Sequence, residues 1–410
     1  MSGSFVDHTE PAAASGVGPP SSGDAGQGCP CCVQERSTVV STDLATSADV
    51  RRLARPTVLA IEPYAWESSN LEIAARFGLR PEDVIRFDTN TSPLPPPCLS
   101  AVLRTVQAEP QVNEYFDSSY TALVEALCEY TSASPENLVI GAGADEILDI
   151  IAKTFLDPGD IVVVPTPTYA MYRIVSQFLG AKVRHVPPRL DLSFDIDAVI
   201  AAAAGAKLIF LCNPNNPTGM RLPSVEIERL VRAVECMVVV DEAYAEFSGD
   251  SVVPLVTTFP RLIVVRTLSK AFSLAGARVG YLVAATEVVN LANRVRPPNS
   301  VSYISAALGE AAARDQASMR ANVASLIAER NWLSDELTQL GVEPVPSSTN
   351  FVLVKLPSPS VAARVHASCL RQGLVLRSYE SNQALRSYLR ITARLREHDQ
   401  RLVNTLEQDF

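Results

Sequence analysis

Residues 262–278 read LIVVRTLSKAFSLAGAR. The stretch opens on four apolar residues, and a run of that kind without polar alternation marks a strand buried on both faces. The chain then turns to small and hydroxyl residues around a single lysine, Lys270, and closes on a second cation, Arg278. A lysine there reads either as a solvated surface charge or as an amine held in a low-polarity pocket. Burial in such a pocket weakens the charged form and leaves a usable nucleophile. The surrounding chain decides between the two.

The same pattern of apolar run, polar loop and helix recurs around this stretch. It appears in NLVIGAGADEILDIIAKTFL (137–156), DIVVVPTPTYAMYRIVSQFLGA (160–181), KLIFLCNPNNPTG (207–219), MVVVDEAYAEF (237–247) and ARVGYLVA (277–284). Val- and Ile-rich runs separated by helices predict an α/β fold: a mostly parallel central sheet covered by helices. Four segments follow. Residues 1–48, rich in Gly, Ser, Pro and Ala, read as a disordered low-complexity tail. Residues 49–84 form an N-terminal arm whose helix, NLEIAARF, stops at Gly78. Residues 85–301 form the large domain, entered through an extended, proline-rich crossing over 85–97 and a helix over 99–107. Residues 302–410 give one long helical region ending at Gly341, then a smaller α+β domain. Its strands are expected over 350–356, 374–377 and 388–392, with helices over 360–372 and at the end.

Composition narrows the function. The 410 residues are 47% apolar and 20% charged, the balance of a soluble globular protein. A net charge of −10 argues against nucleic acid as a partner, and no apolar run is long enough to span a bilayer. The start lacks the basic and apolar regions of a secretory leader. Three of eight cysteines sit in GCPCC (Cys29, Cys31, Cys32), without the second Cys/His cluster a metal site would need, so no metal is expected. Cys98, Cys128, Cys212, Cys236 and Cys369 are scattered through apolar segments and read as buried free thiols, which fits a reducing cytoplasm.

In open α/β sheets ligands bind beyond the carboxyl ends of the strands. The strand at 137 delivers GAGAD, with Ala144 and Asp145 opening a helix, where free backbone N–H groups suit a phosphate. The absence of GxxxxGK[ST] and GxGxxG disfavours ATP and NAD. The next strand delivers Tyr169, either a plate for a flat ring or a core aromatic. NPNNPTG delivers Asn216 in a rigid polar turn, and VVVDEAY delivers Asp241 and Tyr244. A carboxylate directly after an apolar strand needs a positive partner or a proton donor. The opening stretch adds Thr267, Ser269, Lys270 and Arg278. An amine, an acid, a phenol, an amide, an aromatic plate and an anion cradle are the parts pyridoxal phosphate needs.

The strings GADE, PTYAMY, NPNNPTG, DEAYAEF, RTLSKAFSLAGAR, TNFVLV and LRIT make the chain from about residue 55 onward resemble the fold-type I pyridoxal-phosphate enzymes of the class I/II aminotransferases. Within them the chain is most similar to the histidinol-phosphate aminotransferase branch. The resemblance implies transfer of an amino group between an amino acid or amino-alcohol phosphate and a 2-oxo acid such as 2-oxoglutarate. Lys270 would bond to the cofactor and then move the substrate's proton; Asp241 would pair with the ring nitrogen. Tyr244 and Asn216 would bond the phenolic oxygen, and Tyr169 would stack on the ring. Ala144, Asp145, Thr267, Ser269 and Arg278 would hold the phosphate. Tyr115, in NEYFD, would reach the phosphate of a partner subunit, so a homodimer with shared sites is implied. For the substrate, Arg390 in LRIT would clamp a carboxylate, Arg377 would contact a distal phosphate, and Tyr64 and Asn90 would line the pocket.

Three departures fall on the substrate side. The usual NENP reads Asn90-Thr91-Ser92-Pro93, the RYPD-like segment reads EYFD, and the Gly-Thr after LRIT is replaced by Ala393-Arg394-Leu395. They leave open a transaminase of specialised metabolism acting on another, aromatic or basic, amino acid. Two further readings compete. A decarboxylase of the threonine-phosphate type would release carbon dioxide without a keto acceptor. A cofactor-sensing regulator would need a DNA-binding module, and residues 1–50 carry no helix-turn-helix pattern.

Overall fold

The computed structural model describes residues 47–64, 67–110 and 112–408. The expected tail, with Cys29, Cys31 and Cys32, lies outside the described residues except for its last two positions, which open a helix, Ser47–Leu53. From Ala54 onward the chain forms one compact unit.

Seven strands make its central sheet: Leu138–Gly141, Ile161–Pro165, Lys182–Val186, Leu208–Cys212, Met237–Asp241, Leu262–Thr267 and Gly280–Ala284. Named by first residue, the order across the sheet is Leu138, Gly280, Leu262, Met237, Leu208, Ile161, Lys182. The five strands from Leu262 to Lys182 run parallel, whereas Gly280–Ala284 runs antiparallel to both its neighbours. Successive strand residues point to opposite faces. Phe210, Val239, Ile263 and Val265 therefore pack into one core, and Leu211, Val238, Val240 and Val264 into another. Burial on both faces explains the uninterrupted apolar runs. It contributes about 1.5–3 kcal/mol for each such side chain.

The strand Lys182–Val186 is not anticipated by sequence, because it lies at the sheet edge and only Val186 of its five residues is buried. The long helical region is two helices, Tyr303–Arg314 and Gln316–Gln339. Asp315 ends the first and caps the second, its carboxylate accepting from Ser318 N at 3.2 Å. Gly341 follows with φ +79°, the left-handed conformation that favours glycine. No helix among the described residues is long and apolar enough to cross a membrane. Cys212, Cys236 and Cys369 are buried as expected, while Cys98 and Cys128 are only half-buried.

The C-terminal part, expected to form a smaller domain, holds a four-stranded antiparallel sheet in the order Arg377–Ser378, Tyr388–Thr392, Phe351–Lys355, Glu343–Val345. Here the structure differs from the sequence reading at residues 85–87. Ile85–Arg86 is a short strand parallel to Leu374–Val375, and Phe87 is fully buried in the small domain's core. The segment expected to open the large domain thus starts in the small one. That anchoring delivers Asp88, Thr89 and Asn90 across the cleft to the ends of the large sheet.

Candidate active site

The carboxyl ends of the strands converge on a chamber of about 280 Å³. Its lining includes Tyr64, Asn90, Ala144, Asp145, Tyr169, Asn216, Asp241, Tyr244, Thr267, Ser269, Lys270, Arg278 and Arg390. The structure therefore brings thirteen of the fifteen expected site residues together. Arg377 lies in an adjoining chamber, and Tyr115 is 91% exposed and outside both.

Asp241 is the last residue of its strand and 3% exposed. One carboxylate oxygen accepts from Ala243 N at 3.0 Å and the other from the Tyr172 hydroxyl at 2.7 Å. Burial pushes its carboxyl up to about 6, and the Tyr172 bond works against that rise. Such an acid is poised to take a cationic partner. Tyr172 is missing from the sequence reading: in PTYAMY it looks like a core aromatic, and its ring does stack on Phe210. Tyr169 lies just before this helix, Met171–Phe178, and its ring meets that of Tyr172 edge-on at 5.8 Å.

The anion cradle surrounds the helix start at Gly143, with φ +83°. A Cβ on Gly143 would meet Arg278 Nη2 at 2.6 Å, and one on Gly280 would meet the Gly143 carbonyl carbon at 2.3 Å. Gly280 requires glycine because the backbone passes so close, whereas Gly143 requires it through its positive φ. Thr267 and Ser269, 5% and 6% exposed, bond to each other at 2.9 Å. Arg278 Nη2 bonds the Asp145 carboxylate at 3.1 Å, and that carboxylate also accepts from the Tyr169 hydroxyl at 2.9 Å. Asp145 thus enters the site through its side chain rather than through the backbone alone. Backbone N–H groups, two hydroxyls and a guanidinium around one point form a donor set for a phosphate.

Lys270 points its amine into the chamber, where Nζ donates to the Thr89 carbonyl at 3.3 Å. Burial first, and then the charge of Arg390, pull the amine down to about 8. The solvated reading of this lysine is therefore excluded.

On the opposite wall Asn90 is fully engaged. Its Nδ2 donates to the Tyr244 hydroxyl at 2.9 Å, its Oδ1 accepts from Thr392 at 3.0 Å, and its carbonyl accepts from Asn350 at 3.0 Å. Arg390 Nη1 donates to Asn216 Oδ1 at 2.6 Å, Nη2 donates to the Asp88 carbonyl, and the guanidinium lies 5.3 Å over the Phe351 ring. Those partners are all neutral, so the charge of Arg390 faces the chamber. Two of the three departures noted in sequence, at 91–92 and 393–395, touch one another, and the first reaches the lysine loop through Asn322. Arg394 Nη1 donates to the Thr91 carbonyl at 3.1 Å. Ser92 bonds Asn322 at 3.3 Å, and Asn322 in turn donates to the Ala271 carbonyl at 2.7 Å.

A family model described as Aminotransferase class I and II matches residues 82–406. The chain is 35% identical over 368 residues to the histidinol-phosphate aminotransferase of Roseiflexus castenholzii, an alignment covering 88% of this chain and 99% of that protein. It is 36% identical over 328 residues to that of Thermoanaerobacter pseudethanolicus, covering 79% and 92%. Among solved structures, histidinol-phosphate aminotransferase from Sinorhizobium meliloti in complex with pyridoxal-5'-phosphate superposes with a TM-score of 0.80 at 25% identity. That match covers 87% of this chain and 97% of the other.

Proposed function

The chain belongs to the class I and II aminotransferases, and on that premise we propose that it is a pyridoxal-phosphate-dependent enzyme moving the amino group of histidinol phosphate to 2-oxoglutarate. The observation that carries the cofactor assignment is Lys270, an amine pulled down to about 8 beside a phosphate-type donor set and the buried carboxylate of Asp241. The donor assignment rests on relatives of that name aligned over most of the chain.

When bound, the cofactor supplies an electron-accepting ring that eases removal of the proton next to the substrate's amine. Everything else falls to the chain's own residues. Lys270, whose Nζ faces the chamber, would hold the cofactor and would carry the substrate's proton. Asp241, kept in place by Tyr172 and Ala243 N, offers a negative partner to the ring nitrogen. Gly143, Ala144, Thr267, Ser269 and Arg278 would hold the phosphate, with Asp145 orienting Arg278. Tyr169 would lie against the ring, and Tyr244 and Asn216 would supply polar groups to its oxygen. Arg390 clamps an anionic group of the substrate; a guanidinium fork pairs equally with a carboxylate or a phosphate monoester, so one cation serves both half-reactions. Tyr115, at 91% exposure, projects into solvent from this protomer, as a residue completing a partner's site in a homodimer would. A cytoplasmic location goes with this reading.

Two measurements test it. A panel of amino donors with 2-oxoglutarate, including histidinol phosphate, aromatic and basic amino acids, is expected to show the highest kcat/KM for histidinol phosphate. A higher value for another donor would reassign the substrate, and carbon dioxide release without any keto acceptor would reassign the reaction. The second concerns pH. The neutral amine is the nucleophile, so the rate at which apo-protein takes up pyridoxal phosphate should rise with pH and level off above about 8. An unperturbed lysine would keep rising towards 10.5. Stopped-flow absorbance across this range distinguishes the two.

A further inference from the structure

Beyond the cofactor chamber lies a second, of about 450 Å³, which shares Tyr64, Glu67, Tyr169, Asn216 and Arg390 with the first. Three arginines line it, Arg173, Arg377 and Arg390, and they are held differently. Among the described residues Arg390 bonds neutral oxygens, those of Asn216 and Asp88. Arg377 instead donates from Nη1 to Glu67 Oε1 at 2.8 Å, a full ion pair between residues 310 positions apart. The same Glu67 oxygen accepts from the Tyr64 hydroxyl at 3.4 Å. The Glu62–Arg173 pair in this chamber is looser, at 3.8 Å, with Glu62 78% exposed.

From this contrast we propose that Glu67 is a specificity-determining residue, an internal competitor whose carboxylate occupies Arg377 until an anionic oxygen group of the substrate displaces it. The proposal deepens the function argued above and rests on it, since it takes Arg377 to face the substrate. The side chains of Arg377 and Glu67 are 25% and 28% exposed, so solvent reaches the pair and an incoming anion can exchange for the carboxylate. A partly exposed pair of this kind is worth little in net stability, which keeps the exchange cheap. The competitor sets a threshold: a weak anion leaves Arg377 covered, whereas a substrate also anchored at Arg390 and at the cofactor displaces Glu67. The neighbouring charge of Arg390, with no carboxylate on it, remains the first point of capture.

The test uses the holoenzyme, whose cofactor cradle is filled, with inorganic phosphate as a competitive inhibitor of the donor. Glu67→Gln is expected to lower the phosphate Ki about fivefold, the scale of one exposed ion pair, and to lower KM for a phosphorylated donor similarly with kcat little changed. In an Arg377→Gln background the same substitution should have no further effect. If Glu67→Gln leaves Ki unchanged or raises it while Arg377→Gln weakens phosphate binding, the competitor role is overturned and Arg377 keeps its place as an anion contact. If neither substitution moves Ki or KM, Arg377 does not touch the substrate and both statements fall.

Discussion

Replacing Lys270 by alanine is expected to lower kcat/KM by at least about four orders of magnitude while leaving the protein folded. The loss is large because no second amine can take over. The chain has five lysines, and among the chamber's lining residues Lys270 is the only one. The fold should survive because the side chain's one hydrogen bond in the structure is the long contact of Nζ with the Thr89 carbonyl, 3.3 Å. Its burial disfavours the charged form, so truncation removes a group that the site holds against its own preference. Steady-state kinetics and far-ultraviolet circular dichroism together check this; a folded variant that retained transamination would remove Lys270 from its role.

The second large effect is on stability. Arg266 lies buried behind the site, 3.0 Å from Glu242 and 2.8 Å from Glu246, and all three side chains are at most 8% exposed. Ser251 bridges Arg266 and Glu242, and the Tyr130 hydroxyl donates to Glu246 at 2.9 Å. Because Arg266 precedes Thr267 and Glu242 follows Asp241, this cluster ties together the two strand ends that deliver Thr267 and Asp241 to the chamber. Arg266→Ala strands two buried carboxylates without a cation, which costs about 3–5 kcal/mol. A drop in Tm of roughly 5–10 °C follows. The penalty should depend on pH in a definite direction. Burial already holds the Glu242 carboxyl above its usual range, and loss of Arg266 raises it further. An acid whose folded pKa is raised destabilises the protein only once ionised, so the deficit of the variant shrinks as pH falls through that pKa. Adding Glu242→Gln to Arg266→Ala should recover part of the loss at neutral pH. Thermal unfolding at pH 5.5 and 8 checks the sign; a deficit that grows on acidification would contradict it.

The large domain was readable because its chemistry sits at predictable places. Asp241 directly follows four apolar residues, Met237–Val240, and Lys270 follows another run, Leu262–Val265, by five positions, so hydropathy alone locates both. Residues that meet only through tertiary packing were not readable. Tyr172 is fully buried on a helix with a large apolar face and differs from a core tyrosine only by the 2.7 Å bond to Asp241. Glu67 is an ordinary surface type until the fold joins it to Arg377, which the resemblance alone singled out. Ile85–Arg86 is too short for a periodic signal, and its partner Leu374–Val375 is remote from it in sequence. The edge strand Lys182–Val186 lacks the burial that makes its neighbours conspicuous. The helix break at Asp315 did leave a trace, since Asp three residues before Ser318 is an N-cap arrangement. On the substrate wall the departures at Thr91, Ser92 and Arg394 became interpretable only when the structure showed them contacting Asn322 and one another.

On the function proposed above, the half-buried amine of Lys270 is the group that would hold the cofactor. Holoenzyme treated with borohydride, which makes the amine–cofactor bond permanent, can be digested and its peptides mapped by mass spectrometry. The account predicts the pyridoxyl adduct on the peptide containing Lys270 and on no peptide containing Lys153, Lys182, Lys207 or Lys355. An adduct on any of those four, with Lys270 unmodified in enzyme that had full activity before treatment, would contradict it.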